Sequence, residues 1–332
     1  MTNREPIGLS RRQILQAATM GVITVGALGH LRPLAAAAPN PGKTPLLTAD
    51  EIAAIEAAIG KKGKWVEAEG VLTVPLPRAD LHVTVHGDPV PTPFGFGGWM
   101  SIKRTMDGKS AMLMSDTVLL QEEVNPLISA ALAQGLEISA IHNHFFYLDP
   151  VILYMHIHGM GEPADLAKRF AAAIAATKLL PANQPPAGAP PAKTGKDIFD
   201  IAALDAIVGH TGTVNGPTYK YTLGRPDLTV TLMGTEMTPA IGLNTWASFA
   251  GTADNAHIAG DIAMLAPEVN PVIAALRKNG LEVVALHSHM LAEQPRILFL
   301  HYYGTGSAST LAQGFRTAID ELGKHGMDDM KM

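Results

Sequence analysis

Apolar residues recur along the chain with two different periods. Behind Thr48, a residue type that caps helix starts, Ile52, Ile55 and Ile59 repeat at helical spacing and predict a helix over 49–59. Residues 64–104 alternate instead, rich in Val and Thr and broken by turn residues, which predicts two to four strands. A second helix is predicted from Glu122 to Gln134, ended by Gly135, and a third from Pro163 to Leu179, entered through Gly161-Glu162-Pro163. Between these helices Leu136, Ile138, Ala140, His142 and His144 share one parity, so in a strand the imidazoles extend the apolar face. The returning strand from Val151 sets Ile152, Tyr154, His156 and His158 on one face. A turn centred near Asp149 then places His142 opposite His156 and all four rings on one side of the sheet. Helix, strands, helix, two strands, helix in that order predicts an α+β fold, with a largely antiparallel sheet and helices on one of its faces.

The pattern occurs twice. The segment starting at Ser115, which runs through AIHNHFFYLDPVILYMHIHGMG, lies without a gap over the segment starting at Gly260, which runs through ALHSHMLAEQPRILFLHYYGTG, at an offset of 145. Asp116 matches Asp261, Glu123 matches Glu268, and Asn125-Pro126 match Asn270-Pro271. His142, His144 and His156 match His287, His289 and His301, whereas His158 faces Tyr303 and His257 faces Met112. Upstream, DLHVTVHG from Asp80 matches DLTVTLMG from Asp227, and Trp99 matches Trp246. The chain is therefore a tandem duplication. Its expected organisation is a first α+β repeat at 39–180, a Pro-rich linker at 181–197, a second α+β repeat at 198–324 and a short Met/His tail at 325–332.

The N-terminus changes where this chain is expected to work. Arg11-Arg12 precede a moderately apolar, Gly- and Ala-rich run and the small residues after Leu34, the pattern of a twin-arginine export signal over 1–38; a single membrane anchor is the competing reading. Export implies a periplasmic or secreted protein with no membrane span after cleavage. With 332 residues, 47% of them apolar, and a net charge of -5, the chain has enough material for two cores and lacks the basic stripe that nucleic acid requires. It contains 0 cysteines, which removes disulfides, thiolate ligands and a Cys nucleophile together.

What remains is imidazole and carboxylate chemistry. Three histidines on one sheet face in each copy suit a divalent transition metal, Zn first and Cu second, and an open fourth position is what catalytic Zn uses to acidify water. The expected ligands are His142, His144 and His156 in one repeat and His287, His289 and His301 in the other. His158, Glu123, Glu268, Asp116, Asp261, His82 and His86 are further candidates as ligands or as partners that fix a ring tautomer. Each has a bland counterpart: hydrogen-bonded core histidines, and for Glu-Val-Asn-Pro a charged, proline-containing first helical turn. The first copy, richer in histidine, is expected to hold the better site.

The paired hairpin segments, each preceded by EVNP and a helix ending in Gly, resemble the LppY/LpqO-like family of exported bacterial proteins over nearly the whole mature chain. The namesakes are lipoproteins, and a chain without cysteine departs from them by having nothing to lipidate. The resemblance carries no catalytic residues with it. The resulting expectation is an exported protein binding a metal on the histidine face of each hairpin, as a metal-dependent hydrolase or in metal handling. The alternative is a metal-free periplasmic binding module for a small envelope ligand, with His and Tyr lining its groove; a protein whose two copies only pack on each other is a third.

Overall fold

The computed structural model describes residues 44–186 and 191–324. The expected export signal, residues 187–190 of the linker and the tail 325–332 lie outside the described residues. The first repeat runs α1 (Ala49–Ile59), β1 (Lys64–Val66), β2 (Val71–Pro77), β3 (Val83–Val85), β4 (Asp88–Val90), β5 (Gly97–Arg104), β6 (Ala111–Leu120), α2 (Gln121–Ala133), β7 (Glu137–His142), β8 (Leu148–Asp149), β9 (Ile152–Gly161) and α3 (Pro163–Ile174). A short α4 (Gly195–Ile198) leads into the second: α5 (Ile201–Val208), β10 (Thr213–Asn215), β11 (Thr218–Leu223), β12 (Thr231–Leu232), β13 (Thr235–Glu236), β14 (Thr245–Gly251), β15 (Ala256–Met264), α6 (Val269–Lys278), β16 (Glu282–His287), β17 (Leu298–Gly306) and α7 (Ala308–Ile319).

Local chemistry sets several of these boundaries. Thr48 and Glu51 form a reciprocal capping box on α1, which ends at Gly60 in the left-handed region at φ 78°. Helix α3 stops at Ile174, short of the expected Leu179. The Thr177 side chain and the Asn183 amide hydrogen-bond to the carbonyls of Ile174, Ala175 and Thr177, replacing further helical turns.

Each repeat builds one antiparallel six-stranded sheet, ordered β1-β2-β5-β6-β9-β7 and β10-β11-β14-β15-β17-β16. One core lies wholly within the first repeat: Ile55, Leu127 and Phe170 of its helices meet Leu72, Ile102, Leu113 and Met155 of its sheet. Its counterpart in the second repeat joins Leu204, Leu276 and Phe315 to Tyr221, Phe249, Ile258 and Leu300. The two remaining cores are mixed. One packs Met112 and Met114 against Ala263 and Phe299, the other Val118 and Tyr154 against Ala259 and Tyr303. The order is thus helices, sheet, sheet, helices, with the two sheets face to face and both repeats in one compact unit.

The histidine hairpin departs from the expected register in one respect. His142 pairs with Tyr154, and Ala140, not His142, lies opposite His156. A β-bulge between Ile138 and Ala140 accounts for the parity as well. Ile138 packs on the helix-side core, while beyond the bulge His142 faces the other sheet, so the imidazoles do not extend the apolar face of Leu136 and Ile138. The second copy repeats the bulge between Val283 and Ala285. The connection after His142 is long because β8 leaves the hairpin to pair with β3, Asp149 against Thr84.

Candidate metal centre

Along the inner face of β6 the residues run Met112, Met114, Asp116, Val118, and along β15 His257, Ala259, Asp261, Ala263. One carboxylate thus sits mid-strand in each sheet, among apolar neighbours. Register places its partners: Trp99 lies directly across from Asp116 and Asp116 across from His156, while Trp246 lies across from Asp261 and Asp261 across from His301. Each sheet carries a Trp-Asp-His row over three neighbouring strands, and the two rows share the inter-sheet space.

The six matched histidines of the two repeats lie together there. His142 stacks on His287 with ring centroids 3.9 Å apart, His144 on His301 at 3.7 Å, and His156 lies 4.0 Å from His289. Exchanging each residue for its duplicate returns the same three pairs, so the cluster lies on the relation that links the copies. Ligand atoms within 4.8 Å of one another occur in three sets: Asp261 with His287, His289 and His301; His142 and His144 with His301; and His142 and His156 with His287. Two of these sets draw on both repeats.

Backbone carbonyls orient two of the rings. His156 Nδ1–H donates to the Ser115 carbonyl at 2.9 Å and His301 Nδ1–H to the Gly260 carbonyl at 3.0 Å, which leaves the lone pair of each Nε2 directed inward. Both Nε2 atoms are buried without a partner. So are Nδ1 of His142, His144 and His289, both nitrogens of His287, and Oδ1 of Asp116 and Asp261. Leaving a buried polar atom unpaired costs about 1–3 kcal/mol, and a cation bound in any of the three sets would offset part of that cost. Burial, and after it neighbouring imidazoles, hold His142, His144 and His156 well below the ordinary histidine range. Burial likewise pulls His287 down to about 4 and His289 and His301 to about 3. These rings are neutral at physiological pH, the state a metal ligand needs. Burial, then the charge of Asp261, pushes Asp116 well above the usual carboxylate range.

The remaining candidates lie elsewhere. His158 is buried on the same face, but its Nε2 meets Ser139 Oγ at 3.2 Å and it joins none of the three sets. Glu123 and Glu268 do not reach the histidines. Each caps its own helix turn and pairs with a buried arginine, Glu123 with Arg78 at 2.6 Å and Glu268 with Arg225 at 2.8 Å, completed by Asp80 and Asp227. These arginines went unnoticed in the sequence; their signal was that the match at Asp80 and Asp227 extends two residues upstream as Arg-x-Asp. His82 and His86 both lie outside β3 and join none of the three sets. His82 is exposed, and His86 occupies a turn at φ 53°, tilted against Tyr147 and stacked on Tyr303. His257 donates to or accepts from Tyr303 Oη at 2.7 Å, away from the cluster.

A cleft borders the cluster. Lying between the sheets, it has two lobes of about 410 and 520 Å3 that share Thr73, Trp99, Asp116, Lys220 and Trp246. Asp261 and His289 line one lobe, and His144 and Tyr154 the other. Lys220, absent from the candidates read in the sequence, places its ammonium 4.3 Å from the Trp246 ring.

Residues 53–176 and 202–321 match the family described as a domain of unknown function (DUF1259), one copy on each repeat, and the chain belongs to that family. Among curated proteins none matches. Of solved structures, the trimeric bacterial microcompartment shell protein PduB aligns over 78% of this chain and 89% of its own, at 14% identity and a TM-score of 0.18.

Proposed function

We propose that this DUF1259 member is an exported metal-dependent enzyme whose ion is held by the cluster that its two repeats share and whose substrate enters the inter-sheet cleft. The observation that carries the reading is that six histidines and two aspartates of one cluster leave nine buried atoms unpartnered, while three sets of these side chains bring ligand atoms within 4.8 Å of one another. A metal-free ligand-binding groove leaves that cost unexplained. The three sets, drawn from His142, His144, His156, His287, His289 and His301 with Asp261, would hold the ion, with Asp116 beside them. Imidazole and carboxylate donors without thiolate suit Zn2+ first and Cu2+ second. Bound there, such an ion supplies a Lewis acid and lowers the pKa of water, the requirement of hydrolysis.

The chain's own groups do the rest. The carbonyls of Ser115 and Gly260 fix two ring tautomers, and the opposed sheets bury five of the six rings. Asp116, at 15% side-chain exposure against 2% for Asp261, is the carboxyl that a molecule in the cleft meets, and it retains a proton more readily than an ordinary carboxylate. The open cleft favours an enzyme over a closed store for metal ions. Export through the segment 1–38 and kinship with the LppY/LpqO-like proteins belong to the same proposal; among the described residues no helix is long and apolar enough to cross a membrane. The test is metal analysis of protein purified without added metal, beside the double variant His142→Ala/His287→Ala. One or more ions per wild-type chain, lost in the variant, supports the reading; a wild-type chain that stays essentially metal-free after incubation with Zn2+ and Cu2+ ends it.

A further inference from the structure

The cleft is not symmetric, and its asymmetry bears on what it binds. At one matched position on the two inner faces, β2 carries Thr73 and β11 carries Lys220. Thr73 is satisfied locally: its hydroxyl meets Ser101 Oγ at 2.8 Å and the Ala240 carbonyl at 3.1 Å. Lys220 is not. Its flanking residues Tyr219 and Tyr221 point into the helix-side core, and its own side chain stands in the cleft over the face of Trp246. No ion pair or hydrogen bond to its ammonium occurs among the described residues. Asp116 and Asp261 act on it only through space, and burial draws it down to about 8, so it remains largely charged at pH 7. A partly enclosed ammonium without a counter-ion is costly unless a ligand supplies one. Beside it the cleft wall is apolar, with Pro75, Pro77, Pro93 and the two indoles.

Building on the enzyme reading, we infer that Lys220 is the specificity-determining residue for an organic oxyanion, a carboxylate or phosphate group whose apolar body lies along the proline and tryptophan wall. The lysine, with three donors on a flexible stem, takes the anionic oxygen, while the Trp246 ring beneath the ammonium positions it. The anion is thereby set beside Asp116 and His144, which line the same lobe as Lys220.

The experiment uses the full chain, both metal-free and Zn-loaded, titrated with inorganic phosphate and, separately, with acetate, followed by calorimetry and tryptophan fluorescence. Lys220→Thr, which installs the residue found at the matching position, should weaken binding of the preferred anion by roughly ten-fold or more, as expected for losing a charged hydrogen bond. Lys220→Arg should restore most of it. Zinc content should be unchanged in both, which shows that each variant has folded with its cluster intact. Anion affinity equal in wild type and Lys220→Thr, or no binding of either anion by wild type, overturns the inference. Lys220-dependent binding in a wild-type chain that takes up no metal would sustain the inference and end the metal reading instead.

Discussion

Asp261 Oδ2 lies 3.1 Å from His289 Nε2, whereas the duplicate contact, Asp116 Oδ2 to His144 Nε2, spans 3.8 Å. Asp261 also approaches His301 Nε2 at 3.9 Å and is the carboxylate that joins three histidines of its own repeat within mutual reach. The tighter donor set thus falls in the second copy, although the first has more histidines. Asp261→Asn should lower Zn2+ affinity by about 10- to 100-fold, and Asp116→Asn by distinctly less. A chelator competition series would measure both, and equal losses would show that the closer contact confers no advantage.

Removing the metal should be felt in stability. The donor atoms have no other partners, so binding is linked to folding and the holo form should melt higher by several degrees or more. Scanning calorimetry before and after dialysis against chelator gives the comparison. Identical transitions at equal protein concentration would mean that the cluster tolerates its unpaired atoms without an ion.

The metal-free chain should lose stability in mild acid. His158 and His287 are held near 4 and His289 and His301 near 3, against about 6.5 in an unfolded chain. Below pH 6.5 the unfolded state therefore binds more protons than the folded one. Each ring's contribution is complete above that pH and falls as pH drops through the window from 6.5 towards 3, by up to about 1.4 kcal/mol per unit per ring. Urea titrations of the metal-free chain at pH 7 and pH 5 should differ accordingly. His158→Gln/His287→Gln should flatten the difference, and an unaltered slope would contradict the assignment of neutral buried rings.

Glu268 offers a structural control. It is fully buried and accepts from Arg225 and from the backbone N–H groups of Leu265 and Gly323. Glu268→Ala leaves a buried guanidinium short of a counter-charge and should cost about 3–5 kcal/mol. Zinc per folded chain should be unchanged. Loss of zinc without loss of stability would return this glutamate to the metal centre.

Much of this architecture was legible because it depends on short-range pattern. The 3.6 and 2 residue periods located the helices and strands, and the offset of 145 revealed the duplication without any fold knowledge. Parity failed at Ser139, where one extra residue flips the strand, because a bulge leaves no mark in polarity: Leu136 and Ile138 look continuous with His142. Nothing in the sequence indicates that the two histidine faces oppose each other, since sheet-on-sheet packing is decided by the shapes of Met112, Met114 and Phe299 and by which face the helices already cover. The Glu123 and Glu268 pairs were misjudged because their partners, Arg78 and Arg225, lie 45 and 43 residues away in the chain. Lys220 was visible only as a charge at a strand position whose duplicate is Thr73.

That last mismatch is where joining the copies matters. Two separate single-repeat chains, associating through the same faces, would bring two identical residues to the cleft: a pair of lysines repelling each other, or a pair of threonines with no charge at all. With two unlike halves written into one polypeptide, a single ammonium faces a neutral hydroxyl, and the cavity acquires a direction, a charged end and an uncharged one, in which a ligand with a head and a tail lies one way round.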